Sequence, residues 1–497
     1  MSPSLIVGVI AAYFAVLIVI ARLTGGLGKN TDFFLAGRNA PWMLVAFGMI
    51  GASLSGVTFI SIPGKAGITN DDGVLVDQFS YMQMVLGYLA GYVFIAYVLM
   101  PVYYRMQLTS IYRYLEARFG TAAWKTGAFY FVLSRTVGSA IRLLLVAKIL
   151  QEFVFDAWAV PFPVTVVISI LLIWVYTHRG GMKTIIYTDT LQTLFMLIAL
   201  GLSIVLISDH LDFTPSKTWG TMTDSAYSQW FFFNDFTTNG YHFVKQFLGG
   251  FFICIGMTGM DQDMMQKNLA CKNIREAQKN MMSFAAVLLV VNFLFMGLGA
   301  LLFTYADAAE LVLPLSEKGR PRTDLLFPLV ALSGEIGAAL SVFFILGLTA
   351  AAYSSADSAL TALTTSVSVD FMGIDKRNET EQVRLRKRVH IGVSALMVVT
   401  ILILHYTLDL SAIDQVIYLA GFTYGPLIGL FLFGLLTKRS VPEWAIVGAA
   451  LVAPLATWLI TNHSVPWLGF SFGALHIVLN ATITALFLSL ASKPQTV

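Results

Sequence analysis

The sequence predicts an all-α integral membrane protein with about thirteen transmembrane helices, and three observations lead to this prediction. The 497 residues are 57% hydrophobic and only 12% charged, so most of the chain cannot form the shell of a water-soluble core. Apolar runs of about 18 residues or more, each long enough to cross roughly 30 Å of hydrocarbon, recur along the whole chain. No segment is both long and polar enough for a separate soluble domain, so we expect residues 1–497 to form one domain.

Thirteen apolar runs follow one another along the chain. The first apolar run, LIVGVIAAYFAVLIVIA, has no basic start and no small-residue cleavage site, so we assign it as a membrane helix and not as a signal peptide. The approximate limits of the spans are 4–21, 42–68, 75–103, 120–153, 159–177, 181–208, 243–261, 276–305, 326–368, 389–406, 412–436, 442–460 and 467–491.

The second and seventh spans contain glycine-rich interruptions, GMIGASLSGVTFISIPG and GGFFICIGMTGMDQ. Transporters built from two inverted repeats of five helices open each repeat with a discontinuous helix, whose unwound backbone binds ions or substrate near the membrane midplane. The offset of five spans is odd, which gives the two halves opposite orientations. Alternatively, the glycines only allow close packing, as we expect of Gly87 and Gly91 in the third span. The predicted parts are a preceding helix at 4–21, a first repeat at 42–208, a second repeat at 243–436 and two additional helices at 442–491.

Lys and Arg are distributed unevenly among the loops. Most of the 31 lie in alternate loops, beginning with the loop after the first span and including the C-terminus. Because cytoplasmic loops carry the excess of positive charge, we expect the N-terminus outside and the C-terminus in the cytoplasm, in a plasma membrane and most simply a bacterial inner membrane. The opposite loops hold only Lys65, Lys217, Lys245, Lys318, Arg320 and Arg322.

Composition and motifs give no sign of an enzyme or of a nucleic-acid-binding protein. The seven histidines show no H-E-x-x-H spacing, and Cys254 and Cys271 are better suited to be free thiols than a disulfide. The basic segment at 375–390, DKRNETEQVRLRKRVH, is interpreted as a solvated cytoplasmic connector. The sequence does not predict an oligomeric state.

The segment TAAAYSSADSALTALTTSVSVD, residues 349–370, is unusually polar for a helix in lipid. Ala351, Ser354, Ser355 and Ser358 follow at i, i+3, i+4 and i+7, so they form one stripe that faces one neighbour. Serine hydroxyls and carbonyls freed at a helix break supply the oxygen ligands that a small hard cation such as Na⁺ prefers. Alternatively, these hydroxyls donate hydrogen bonds to carbonyls of the preceding helical turn and have only a packing role.

Two carboxylates lie within predicted spans. A carboxylate in such a span is costly unless it is paired or hydrated, so a functional role is the default hypothesis for Asp357; a solvated or structural role near the cytoplasmic end is the alternative. Asp189 lies one to two turns into the sixth span. It either stabilises the start of that helix or faces the serine stripe and attracts a second cation. Either carboxylate could instead take up protons.

The fourth span contains Arg135 and Arg142, which are seven residues apart and therefore share a helix face. An arginine inside the membrane must meet an anion, a water-filled cavity or carbonyl groups. The guanidinium group matches a carboxylate, so an anionic substrate is one interpretation. Pairing with an internal acid such as Asp156 is the other.

Six segments together resemble the sodium/solute symporters, which include the bacterial proline and sialic acid carriers and the sodium/glucose cotransporters. The segments are DFFLAGRNAPW, GASLSGVTFISIPG, GGMKTIIYTDTLQ, DQDMMQKNLA, AAAYSSADSALTA and YGPLIGLFLFGLLTKR. The resemblance covers essentially the whole chain. It implies the LeuT-type fold of five plus five inverted-repeat helices with discontinuous helices, here with one span before and two after.

The resemblance also implies ion ligands. A shared sodium site is formed by the carbonyls of Gly51 and Leu54 with Ala351, Ser354 and Ser355. Members with a second sodium use residues that match Asp189 and Ser358; Asp357 stands where such members can have a hydroxyl. Lys267 stands where the family often has arginine, and we expect it at the cytoplasmic surface, away from the ion site.

The resemblance implies a substrate site beside the break of the second span. Sialic acid carriers place an arginine in the fourth span against the substrate carboxylate, and Arg135 is our candidate here. We expect sodium-coupled uptake of a small organic solute by alternating access, with some preference for a carboxylate-bearing sugar acid such as sialic acid. A neutral-sugar symporter, a proton-coupled carrier and an ion-gated channel or sensor remain alternatives. The full set of expected substrate residues is Ser53, Ser55, Thr58, Gln83, Arg135, Gln415 and Tyr418.

Overall fold

The structure, a computed structural model, describes residues 3–24, 30–70, 72–316, 319–407 and 412–494. The described chain is built from helices, and its only paired strands are two-residue segments near the C-terminus. The principal helices are α1 (Pro3–Thr24), α2 (Trp42–Ser53), α3 (Gly56–Lys65), α4 (Ser80–Phe94), α5 (Thr121–Leu150), α6 (Phe162–Gly180), α7 (Met182–His210), α8 (Phe243–Cys254), α9 (Gln262–Leu269), α10 (Ile274–Ala308), α11 (Ala338–Ser366), α12 (Glu379–Thr407), α13 (Ala412–Leu436), α14 (Glu443–Leu468) and α15 (His476–Ala491).

Shorter elements extend or connect these helices. Single wide turns with π-helical hydrogen bonding continue α4, α5, α8 and α11 over Ile95–Leu99, Gln151–Phe155, Ile255–Gly259 and Val367–Phe371. The strands Arg439–Ser440 and Lys493–Pro494 pair antiparallel, with Arg439 opposite Pro494. The remaining short helices are Asn30–Leu35, Ala36–Arg38, Met100–Arg105, Arg113–Phe119, Asp156–Trp158, Pro215–Asp224, Thr323–Leu325, Leu326–Leu332, Ile374–Lys376 and Gly473–Leu475.

Every predicted span contains a helix, and the fold is the predicted all-α membrane architecture. Within the described ranges, 10 helices are long and apolar enough to cross a membrane, and two bent pairs raise this to 12. The remaining predicted span, 159–177, corresponds to α6, whose apolar part is Phe162–Thr177. The helices lie where the sequence predicts them, because the hydropathy of a segment depends only on its own residues.

Three predicted boundaries were wrong. The run 326–368 is two helices, Leu326–Leu332 and α11, separated at Gly334 and Gly337, which both have positive φ. The connector at 375–390 is mostly helical, because α12 already begins at Glu379. The seventh span does not end at 261 but continues through α9.

Both predicted discontinuous helices are present. Helices α2 and α3 meet at a bend of 60°, and the α8 segment that ends at Gly259 meets α9 at a bend of 63°. The two breaks lie five spans apart, each in the first span of its predicted repeat, as an inverted repeat of five helices requires. Gly250 does not form the second break: a Cβ there would lie 2.2 Å from the carbonyl oxygen of Met84, so this glycine allows α8 to pack closely against α4. Gly87 of α4 has the same role.

The packing places the two breaks in the interior. Helix α7 packs against both α2 and α11, and α11 also contacts α3 and α5. Helix α13 packs against α5 and α15. Every residue of α3, from Gly56 to Lys65, and every residue of α9 is buried. The unwound backbone of the first break is therefore shielded from lipid and faces α11.

Candidate functional site

The break between α2 and α3 leaves main-chain oxygens without hydrogen-bond donors. Leu54 (φ −84°, ψ 86°) and Ser55 (φ −77°, ψ 174°) leave the helical conformation. The N–H of Leu54 still donates to the oxygen of Ile50 at 2.8 Å. Among the described residues, none donates to the main-chain oxygens of Gly51 or Leu54. Buried carbonyls without a donor are costly unless they find a partner such as a cation.

The serine stripe of α11 faces this break. Ser354 and Ser355 are 0% and 1% exposed, and Ala351 is buried beside them. A Cβ added to Gly51 would lie 3.3 Å from Oγ of Ser354, so the two segments are in close contact there. The donor set of freed carbonyls and buried hydroxyls fits a sodium ion, which prefers oxygen ligands. The structure therefore brings Gly51 of the break against Ser354 of the stripe, and the complete five-residue site stays a prediction.

Asp189 faces the serine stripe and is completely buried. The hydroxyl of Ser354 donates to Oδ1 of Asp189 at 2.7 Å, and that of Ser358 donates to Oδ2 at 3.4 Å. Because Ser354 gives its proton to Asp189, the lone pairs of its oxygen remain available to a cation. The carboxylate thus orients a candidate sodium ligand, and its main contacts are not with the start of its own helix.

Lys267 was wrongly predicted at the cytoplasmic surface. It is 1% exposed, and its Nζ lies 2.7 Å from Oδ2 of Asp189. The prediction failed because it ended the seventh span at 261, whereas the 63° bend carries α9 back into the protein interior. The predicted second cation site therefore already contains a positive charge that belongs to the protein.

Asp357 is buried among protein groups and not hydrated at an interface. It is 0% exposed, and the hydroxyl of Tyr176 on α6 donates to its Oδ2 at 2.7 Å. Its Oδ1 has no hydrogen-bond partner among the described residues. The solvated interpretation of this residue is therefore wrong, while its part in an ion site stays a prediction.

A small cavity of about 100 Å³ lies beside the break between α2 and α3. Ser53, Ser55 and Thr58 line it, as the sequence predicts, and both Arg135 and Arg142 reach it from α5. A second cavity of about 170 Å³ shares both arginines with the first. The other lining residues of the first cavity are Ala52, Val57, Tyr81, Tyr88, Tyr92, Ile253, Cys254, Met257, Thr258, Met264, Val416 and Ile417.

Arg135 is engaged by buried acids of the second break. Its Nη2 forms an ion pair with Asp263, and its Nη1 lies 3.9 Å from Oδ2 of Asp261. Tyr424 also donates a hydrogen bond to Asp261. Asp156, the acid named as an alternative partner, is not among the ion pairs of Arg135; it accepts a hydrogen bond from Gln151 at 2.6 Å. Arg135 therefore lines the cavity and is paired with acids of the protein in this structure, while its part in binding a substrate carboxylate stays a prediction.

Arg142 has the opposite environment. Among the described residues, no carboxylate oxygen lies within 4 Å of its guanidinium nitrogens. Its Nη1 donates to Oγ of Ser355 at 3.3 Å, so it touches a candidate sodium ligand while it lines both cavities. A half-buried guanidinium group without an acid is suited to bind an external anion.

Three expected substrate residues do not reach the cavity beside the break. Gln83 is 1% exposed; its amide nitrogen donates to the main-chain oxygen of Tyr241 at 2.9 Å and its amide oxygen accepts from the N–H of Phe232, so it holds the loop that precedes α8. Gln415 lines a separate, larger cavity of about 1070 Å³. Tyr418 is 43% exposed and lies in another cavity, against the ring of His476.

The aromatic wall of the cavity was not predicted from the sequence. Tyr81, Tyr88 and Tyr92 of α4 all line it. Their spacing of i, i+7 and i+11 places them on one helix face, and this periodicity is a signal that the sequence does contain. No comparable signal separates Arg142 from Arg135, because both lie on the same face of α5.

Comparisons with known proteins agree with this architecture. The family model described as the sodium:solute symporter family matches residues 33–451. The sodium/sialic acid symporter NanT of Aliivibrio fischeri is 27% identical over 462 residues, which cover 91% of this chain and 87% of that protein. The sodium/sialic acid symporter SiaT of Proteus mirabilis is 26% identical over 492 residues, 96% of this chain and 94% of that protein.

A solved structure shows the same fold. It is the substrate-bound outward-open state of a Na⁺-coupled sialic acid symporter, with a TM-score of 0.79, 21% identity and coverage of 98% of both chains. The sodium/glucose cotransporter of Vibrio parahaemolyticus is 24% identical over 479 residues, 91% of this chain and 84% of that protein.

Proposed function

Because this chain belongs to the sodium:solute symporter family, we propose that it imports a small organic acid together with Na⁺ and that Arg142 binds the substrate carboxylate. The observation that carries the proposal is the contrast between the two arginines of the cavity. Arg135 is paired with Asp263, whereas Arg142 has no acid within 4 Å among the described residues. A substrate carboxylate would supply the missing negative charge.

The sodium site of the proposal consists of the main-chain oxygens of Gly51 and Leu54, that of Ala351 and the hydroxyls of Ser354 and Ser355. Support comes from the two freed carbonyls and the buried stripe that faces them. Na⁺ at this position would hold α11 against the break between α2 and α3. Because a ligand shifts a conformational equilibrium only through its different affinities for the two forms, Na⁺ and substrate that favour the same form bind cooperatively.

The contact between Arg142 and Ser355 connects the two sites. In the structure the guanidinium group donates to the serine oxygen that the sodium site needs. A carboxylate bound to Arg142 would compete for that N–H and offset the positive charge beside the ion. Both effects raise the affinity for Na⁺, so this contact offers a direct physical route for coupling.

The aromatic wall favours a substrate that carries a ring with hydroxyl groups. The tyrosines at 81, 88 and 92 present both apolar faces and phenolic groups to the cavity. The named relatives NanT and SiaT are symporters of sialic acid, a sugar acid. We therefore place sugar acids such as sialic acid first among the substrates to be tested.

Uptake into liposomes containing the purified protein tests the proposal. The panel contains sialic acid, other sugar acids, short carboxylates, neutral sugars and amino acids, each at fixed pH with and without a Na⁺ gradient. We expect Na⁺-driven accumulation of a carboxylate-bearing solute. Accumulation driven by a pH gradient alone would indicate a proton-coupled carrier, and current without solute flux would indicate a channel.

Arg142→Gln is the decisive variant. It should lower uptake of the acid at least tenfold, because a charge-assisted pair contributes about 1.5–3 kcal/mol and each 1.4 kcal/mol is a factor of ten. Arg105→Gln, at an exposed position, is the matched control and should leave uptake unchanged. Full uptake of the acid by the Arg142→Gln protein would refute the assignment.

Two topological features belong to the proposal. We place the N-terminus outside the cell and the C-terminus in the cytoplasm, which in a bacterium means the inner membrane, on the strength of the loop charges. The inverted repeats are taken as 42–208 and 243–436. Labelling of single cysteines introduced into 235–239 and 377–380, with an impermeant reagent on intact cells, should modify the first loop and spare the second.

A further inference from the structure

The basic segment at the start of α12 has an inner and an outer face. Arg386 is 1% exposed and lies over the ring of Phe33, 4.3 Å from its centroid. Arg384, Lys387 and Arg388 are exposed, and among the described residues no carboxylate oxygen lies within 4 Å of their side-chain nitrogens. Helix α12 packs against α5, α6 and α11. The three exposed cations therefore lie on the side of α12 that faces away from these helices.

The same side of α12 carries the apolar residues that meet lipid. At about 100° per residue, Ile391 lies within about 60° of each of the three cations around the helix axis. Further along this face, Ile391 is 55% exposed, Val399 52% and Tyr406 78%. Apolar side chains that a membrane helix leaves uncovered by protein contact the lipid chains. The cations therefore continue the lipid-facing side of α12 toward the aqueous phase.

The depth of the cations follows from the length of this face. Tyr406 lies in the last turn of α12, and tyrosine is enriched where a membrane helix meets the membrane–water interface. A hydrocarbon core of about 30 Å corresponds to about 20 residues, and 20 residues before Tyr406 the helix has reached Arg386. Lys387 and Arg388 therefore lie at the boundary between hydrocarbon and headgroups, and Arg384 lies about 5 Å beyond Lys387, in the headgroup layer.

We propose that Arg384, Lys387 and Arg388 bind the phosphate headgroup of an anionic phospholipid, such as phosphatidylglycerol, in the cytoplasmic leaflet. The inference goes beyond the proposed uptake function and takes from it only the side of the membrane. Clusters of Lys and Arg beside a membrane helix attract anionic headgroups. Guanidinium groups match phosphate oxygens, and long basic side chains reach from the hydrocarbon boundary to the phosphates. Glu381, the nearest acid in the sequence, lies one turn further from the membrane.

The inner face of this helix end is held in place by the protein. The ring nitrogens of His390 lie 2.8 Å from the hydroxyl of Thr364 on α11 and 3.3 Å from that of Thr177 on α6. The contact of Arg386 with Phe33 adds to them. Because these contacts fix the rotation of α12, its cations face the headgroup layer. A bound lipid would in turn hold α12, and α11 that packs against it, at one depth in the membrane.

Native mass spectrometry of the purified protein, titrated in detergent with phosphatidylglycerol or with phosphatidylcholine, tests the site. We expect the wild type to retain phosphatidylglycerol in preference to phosphatidylcholine. The variant Arg384→Gln/Lys387→Gln/Arg388→Gln should bind phosphatidylglycerol roughly 100-fold more weakly, because each basic residue near the membrane surface contributes a factor of about five.

Two control variants separate the site from the overall charge of the protein. Arg384→Lys/Lys387→Arg/Arg388→Lys keeps the three charges and should keep the preference for phosphatidylglycerol. Lys272→Gln/Lys376→Gln/Lys438→Gln removes three charges from exposed positions outside α12 and should bind phosphatidylglycerol like the wild type. An equal loss of binding in this second control would overturn the proposal, because it would show that only the net charge matters.

The other outcomes are equally definite. Equal retention of the two lipids by the wild type would overturn the proposal. Displacement of the lipid by excess glycerol 1-phosphate would show that the cations bind free phosphate esters, and would overturn the assignment to a lipid. If the triple glutamine variant does not fold, each single variant should bind about fivefold more weakly, and unchanged binding in all three would refute the site. Labelling at 377–380 tests the side of the membrane separately, so a reversed topology is distinguishable from the lack of a lipid site.

Discussion

The sodium site can be tested most directly at Ser355. This residue is 1% exposed, and among the described residues its hydroxyl oxygen has one hydrogen-bond partner, Arg142, from which it accepts at 3.3 Å. Ser355→Ala removes one oxygen ligand and leaves a methyl group that fits the same space. Contacts to a charged group contribute about 1.5–3 kcal/mol. At 1.4 kcal/mol for each factor of ten, the Na⁺ concentration for half-maximal uptake should rise about 10- to 100-fold.

The assay is solute uptake by liposomes over a wide range of Na⁺ at constant ionic strength. Thr349→Val is the matched control: Thr349 lies on the same helix, is 1% exposed and has a hydroxyl without a hydrogen-bond partner among the described residues. At about 100° per residue it lies about 160° around the helix from Ala351, so its replacement should leave the Na⁺ curve within about twofold. The double variant Ser354→Ala/Ser355→Ala should lose sodium stimulation altogether. A folded Ser355→Ala protein with the wild-type Na⁺ curve would refute the ligand assignment.

Two further predictions concern stability. Arg135→Met should lower the free energy of unfolding by about 3–5 kcal/mol, because it leaves the buried charge of Asp263 without its partner. The double variant Arg135→Met/Asp263→Leu should lose less stability, and chemical unfolding in detergent measures both variants. If the losses of the two single variants simply add in the double variant, the two residues do not form a stabilising pair. Gly87→Val should destabilise the protein by about 1–3 kcal/mol or more, since a Cβ there would lie 2.1 Å from the carbonyl oxygen of Phe247. Gly201→Ala, where no neighbouring atom lies within 4 Å of the new Cβ, should instead be neutral or stabilising by about 0.5–1 kcal/mol in the same chemical unfolding measurement, and equal losses in the two variants would refute the packing argument.

The site was predictable where it depended on the periodicity of one helix. Ser354, Ser355 and Ser358 form a stripe in the sequence and the same stripe in α11. The break in the second span was also predictable, because glycines and hydroxyls interrupt an apolar run there. Gln83 and Tyr418, which the structure places outside the cavity beside the break, have polar groups with several possible partners in a folded chain. Their sequence neighbours do not tell which partner lies nearest.

The sequence by itself determined the membrane class, the spans and the serine stripe, because hydropathy and helical period are properties of neighbouring residues. Only the tertiary structure decided how the buried charges pair. The 63° bend before α9 brings Lys267 to Asp189 and Asp263 to Arg135, whereas Arg142 has no carboxylate within 4 Å among the described residues. These pairs join residues from distant parts of the chain. Since a buried charge must find its counter-charge, the arrangement of the helices in space determines the partner.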